Sequence, residues 1–143
     1  VLLALEVKTY SSISDLVKDI DNQVNAVREL LGKYLKMMED LREKVEKMKK
    51  FEETIFKLTG KRSTVPTAEF ELAGLKIVVG VKPNEELSTI EDVVRALQDK
   101  LTALQKVRKA VEPLLASGEE VGVASYLVQI IDGIPVKILI KMV

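Results

Sequence analysis

The stretch where residue type and spacing most suggest reaction chemistry is Glu6-Val7-Lys8. A carboxylate and an amine two residues apart on a strand project from the same face. There the carboxylate could hold a cation or a proton while the amine steadies an anion. Around this pair the usual catalytic vocabulary is missing. The 143 residues include no cysteine and no histidine. Thiolate nucleophiles, disulfides, the common zinc sites and Ser-His-Asp or Cys-His relays are therefore excluded within one chain. An oxygen-ligand Mg²⁺ or Ca²⁺ site stays open.

The Glu6-x-Lys8 spacing resembles the E-x-K element of PD-(D/E)xK nucleases. That resemblance implies a carboxylate helping to hold Mg²⁺ and a lysine assisting the attacking water. The family pattern adds an upstream aspartate on a neighbouring strand. No aspartate stands before Glu6 in this sequence, and the helix expected after the motif is far longer than the family's. An alternating strand with one solvated face is the plainer origin of the spacing. The expectation is therefore no catalytic, cofactor-binding or metal-binding residues and no cofactor. A Mg²⁺-dependent nuclease-like remnant around Glu6 and Lys8 is the alternative.

Two further features could touch a ligand. Lys44, Lys47, Lys49, Lys50, Lys57, Lys61 and Arg62 form a basic stretch, but Glu43, Glu46, Glu52 and Glu53 interleave with it. The Glu43–Lys47 and Glu46–Lys50 spacings predict i,i+4 ion pairs on a solvated helix face. Lys61 and Arg62, in a loop, are the least neutralised; a nucleic-acid-associated module using them is a further reading, not the favoured one. Gly74, Gly80, Gly118, Gly122 and Gly133 never assemble a phosphate-cradling loop.

Composition points the same way. Twenty-two basic residues balance 22 acidic ones, so no global field recruits nucleic acid or anionic membrane. A hydrophobic fraction of 47% with 31% charge describes a folded chain, not a disordered one. The opening Val1–Leu5 run is too short for a signal peptide, and no run nears the roughly 20 apolar residues of a membrane span. A soluble cytoplasmic protein without a membrane role is expected. Abundant Glu, Lys, Ile and Val with few Asn and Gln suggest a thermophilic source.

The elements that must position these residues are read from periodicity. Residues 1–10 alternate as a strand. Ser12 with Asp15 supplies a helix start in the manner of a capping box. From there apolar residues recur at three and four through residue 48: Val17, Ile20, Val24, Val27, Leu31, Tyr34, Met38, Leu41, Val45 and Met48. This heptad pattern predicts one coiled-coil-like helix over 12–59, stopped by Gly60, with Gly32 at an outer position. Residues 68–82 read as a hairpin turning at Ala73-Gly74. Ser88 with Glu91 opens a second helix, which Pro113 kinks or ends and Gly118 stops. Val121–Ile131 and Ile134–Val143 flank Asp132-Gly133 as a second hairpin. Val136, Ile138, Ile140 and Met142 are expected on one face. The fold class is α+β in the order β-α-ββ-α-ββ. Its first six elements follow the ferredoxin-like split βαβ order. One domain, 1–143, is expected, with helix 12–59 projecting as an arm.

In both helices the apolar stripe is wider than a two-stranded seam. Leu16, Leu30, Met37 and Phe51 widen the first, and Val93, Val107 and Leu114 the second. In a parallel dimer the flanking pairs would include Met37–Arg42 and Lys44–Lys49, with no attractive ion pair, so an antiparallel homodimer is the favoured assembly. The ten heptad residues above are its expected interface, with Tyr34 there for packing. The function expected is a non-enzymatic oligomerising scaffold that binds a protein partner through its long helix or sheet.

Overall fold

The computed structural model describes residues 5–62, 68–117 and 122–143. The elements are β1 (Leu5–Tyr10), α1 (Ile13–Thr59), β2 (Ala68–Leu72), β3 (Leu75–Val79), α2 (Pro83–Ser117), β4 (Val123–Ile131) and β5 (Ile134–Met142), in the expected α+β order. The chain groups into two compact units. One contains 1–31 and 96–143; the other is the continuous segment 32–95.

The first unit is a three-stranded antiparallel sheet, order β1-β4-β5, with one face on the helices. Ser12 starts α1: its Oγ accepts the Asp15 N–H at 3.2 Å. Asp15 in turn accepts the Ser11 hydroxyl at 3.2 Å, so the capping box closes on Ser11. The 3-4 repeat then carries Leu16, Val17, Ile20, Val24 and Val27 into a core with Leu104, Val111, Tyr126, Val128 and Ile130. Leu104 and Val128 are fully buried, at 0% exposure, which makes them the tightest test points of the core. Arg108, the one charged residue in the α2 stripe, donates from Nε to Asp21 at 2.8 Å and from Nη1 to Glu112. A charge on the packing stripe thus meets its partner at only one helix register.

Asp132 and Gly133 sit at φ 51° and 77°, the left-handed pair that a two-residue hairpin needs. A side chain at Gly133 would begin 3.0 Å from Gln23 Oε1, so glycine serves both the turn and its close approach to α1. Asp132 also pairs with Lys100 at 3.7 Å.

In the second unit, residues of α1 after Gly32 lie beside the start of α2. Met38, Leu41 and Val94 are its buried residues. Gly60 caps α1 at φ 69°, its N–H donating to the Phe56 carbonyl at 2.8 Å. The β2-β3 hairpin turns at Ala73-Gly74 (φ 52° and 79°).

Several expectations need correction. The second helix begins at Pro83, not Ser88. Proline is pre-shaped for the first helical position; the Lys82 carbonyl accepts from Glu85 at 3.0 Å, and Glu85 and Glu86 complement the helix dipole. β3 stops at Val79 because Gly80 turns left-handed at φ 80°. Pro113 does not end α2, which runs to Ser117. Val136 does not share the face of Ile138: a β-bulge pairs Pro135 with Ile130 and leaves Val136 between registers.

The ferredoxin-like sheet does not form either. β2 and β3 pair only with each other, and β1 pairs with β4. A helix of 47 residues is about 70 Å long, whereas a five-residue strand covers about 17 Å, so α1 is not matched to a compact split βαβ crossover. Val1–Ala4, Gly118 and Val121 lie outside the described residues. Among the described residues no helix is long and apolar enough to cross a membrane.

Candidate functional site

In β1 the pairing sets Glu6, Lys8 and Tyr10 opposite Ile130, Val128 and Tyr126. Glu6 and Lys8 therefore share the core side with Tyr10, while Leu5 and Val7 face outward at 71% and 61% exposure. Glu6 and Lys8 still keep about half of their side-chain exposure, 50% and 48%, so the pair is solvated although it lies on the helix side of the sheet. Tyr10 decides the orientation, since it is the residue of β1 that enters the core.

Glu6, Lys8 and Tyr10 line a cleft of about 220 Å³ together with Asp19, Asn22 and Gln23 of α1. Lys8 Nζ stands 3.8 Å from Glu6 Oε1. The Tyr10 hydroxyl donates to Asp19 Oδ2 at 2.7 Å. Burial, then this bond and the Asp19 and Glu6 charges, hold the Tyr10 phenol well above its ordinary pKa. Asp19, Asn22 and Gln23 escaped the sequence reading. The signal was present: with Asp15 they recur at four, seven and eight residues, the spacing of one helix face.

Among the described residues the cleft is lined by one cation and two carboxylates. Its cation is paired, and one of its two carboxylates is engaged by a phenol. Among the described residues no group of three or more candidate ligands could hold a metal ion.

The ten expected interface residues divide. Val17, Ile20, Val24 and Val27 are already covered within the chain, at 2–7% exposure, and belong to the first unit's core. Met38 and Leu41 are buried at 9%. Leu31, Tyr34 and Val45 are half-buried, and Met48 is 44% exposed. The widening positions stay open in the second unit: Met37 at 40% and Phe51 at 62%, continued by Leu58 at 77%.

A larger apolar face went unread. In the β2-β3 register Phe70 faces Ile77, Leu72 faces Leu75 and Ala68 faces Val79. Strand alternation puts all six on one side of the hairpin and Glu69, Glu71, Lys76 and Val78 on the other. The apolar five beyond Ala68 are 39–68% exposed. Counting alternation across both arms of the hairpin would have found this face.

The basic stretch keeps its exposure. Neither Glu43–Lys47 nor Glu46–Lys50 closes to ion-pair distance among the described residues, as water-screened surface pairs commonly do not. Arg62 lies 4.4 Å over the Phe56 ring and is held there as a cation–π partner.

No protein family, curated protein or solved structure matches this chain.

Proposed function

We propose that this protein is a non-enzymatic interaction protein that assembles with copies of itself through its second unit and binds a further protein partner. The observation that carries the reading is the charge-free face of the β2-β3 hairpin. Phe70 at 58%, Leu72 at 68%, Leu75 at 63% and Val79 at 56% exposure stand on one side of a sheet only two strands wide. A two-stranded hairpin is marginal in water without a third strand or a packed face. Contiguous exposed apolar surface of this kind marks an interaction site.

The favoured occupant is a second copy, hairpin against hairpin. With every charge of the hairpin on the opposite side, the apolar face meets its own image without like-charge repulsion, as a two-fold interface requires. The open stripe of Met37, Phe51 and Leu58 offers the same unit more apolar area. The antiparallel dimer expected along the heptad seam from Val17 to Met48 thus moves to surfaces the chain leaves open, since Val17, Ile20, Val24 and Val27 are covered within the chain.

Sedimentation equilibrium tests this. At micromolar concentration a dimer or larger species is expected, and Phe70→Glu with Leu75→Glu should shift it towards monomer while circular dichroism keeps the helical signal. Finding only the 15.9 kDa species in the unaltered protein overturns the self-assembly. Mg²⁺-dependent cleavage of DNA or RNA that disappears in Glu6→Gln overturns the non-enzymatic reading.

A further inference from the structure

The first unit has an open face of its own, on the side of the sheet away from the helices. Val7, Leu127, Gln129, Lys137 and Leu139 line a shallow groove of about 160 Å³ on it. The pairing of Val7 with Gln129, Gln129 with Lys137, and Leu127 with Leu139 places them in adjacent rows of one surface. Val7 and Leu139 are 61% and 47% exposed. Lys141, opposite Ser125, adds a second cation to the same side. Glu6, the acidic residue of β1, points to the other face. One side of this sheet therefore sets the apolar Val7, Leu127 and Leu139 around Gln129, with two cations along β5.

We infer that this outer face docks an acidic amphipathic helix of a partner protein, an inference that rests on the reading of the chain as an interaction protein. An antiparallel sheet can leave a polar face to water, but here, with α1 and α2 covering one face, the other keeps Val7 and Leu139 exposed. The charge pattern selects the sign: two lysines and no carboxylate complement acidic residues and disfavour a second copy, which would bring the same two lysines. The spacing selects the form. Four residues along a strand separate Lys137 from Lys141 by about 13 Å. Two turns of helix separate carboxylates about eight residues apart by about 12 Å. An apolar side chain between those carboxylates would seat in the groove beside Leu139. An anionic bilayer is the poorer match, since two lysines and a flat groove supply neither a polybasic cluster nor an inserting segment.

The test uses the full chain and two labelled synthetic peptides of roughly 18 residues. Each is a helix with a leucine stripe. One carries glutamates about eight residues apart beside the stripe; the other carries lysines at the same places. Fluorescence anisotropy at low salt should show the glutamate peptide binding roughly tenfold more tightly than the lysine peptide. Lys137→Glu with Lys141→Glu should reverse that preference. Because both lysines are exposed, the variant's thermal melt should match the parent's, which separates lost docking from lost folding. Equal binding of the two peptides, or a preference unchanged by charge reversal, overturns the inference, as does binding to phosphatidylserine vesicles with neither peptide bound. Self-assembly is read separately by sedimentation. A dimer that ignores charge removes this inference alone, whereas a monomer with the expected preference removes the self-assembly and keeps the docking.

Discussion

Two side-chain pairs show how single residues govern the first unit. Tyr10 enters the core while its hydroxyl reaches Asp19 at 2.7 Å, so the strand and helix are joined by one short bond to a carboxylate. Removing the hydroxyl in Tyr10→Phe should cost about 1 to 3 kcal/mol, measured by urea unfolding. The bond also makes a pH signature. The folded-state pKa of Tyr10 is raised above the ordinary phenol value of about 10. Its contribution is complete below that value and is lost as pH rises through the folded pKa. The stability advantage of the unaltered protein over Tyr10→Phe should therefore shrink above about pH 10. An advantage that stays constant, or grows, would contradict the donor role of the phenol. Arg108 acts differently. Its bond to Asp21, then the Asp21 charge, holds the guanidinium further in its charged form.

At the scale of elements, α1 is the feature most legible in the sequence. Its expected span of 12–59 differs from the observed Ile13–Thr59 by one residue, because Ser12 and Gly60 are caps with a local mechanism. Gly32 is the one weak point that periodicity passes over. Nothing lies within 4 Å of a side chain placed there. Gly32→Ala should consequently stabilise the protein by up to about 1 kcal/mol, seen as a higher urea midpoint.

The phase of α1 makes a second prediction: Ile20→Ala, at a buried site on its apolar stripe, should cost about 2 to 5 kcal/mol. Exposed Lys33→Ala should change stability by only a few tenths of a kcal/mol. Comparable losses at the two sites would show the phase to be wrong.

What the sequence hid was tertiary. Ser88 looks like a helix start because the capping signature is local, yet Pro83 and the two glutamates after it offer an earlier start with equal chemistry. The Glu6-Lys8 pair was visible, but its orientation was not. Which side of β1 faces the helices depends on Tyr10 finding Tyr126 more than a hundred residues away. Asp19, Asn22 and Gln23 share one helix face, but only that packing turns them into the wall of a cleft.

For the whole molecule, the proposed assembly has a thermodynamic consequence apart from sedimentation. If folding is linked to self-association, the melting temperature should rise with protein concentration, since mass action favours the folded assembly. A melting temperature that is flat across a hundredfold dilution spanning the dissociation constant would count against it. Phe70→Glu with Leu75→Glu should flatten the dependence in any case, because the charge-free face would then carry carboxylates.

The pairing of β1 with β4 also bears on how the protein is made. Leu5 lies opposite Ile131. During synthesis, β1 leaves the ribosome before α1, β2, β3 and α2, and its partner strand follows only after all of them. The segment 32–95 is continuous and can close on itself well before that. Vectorial synthesis therefore favours completing the second unit first, with Leu5 and Val7 unpaired on a nascent chain until β4 emerges. Closing so long a loop costs entropy that the late contacts must recover, which makes strand β1 the slow step of maturation. A chaperone that holds extended apolar segments would have a long opportunity at β1, and pulse-labelled hydrogen exchange during refolding should find the amides of β1 among the last to be protected.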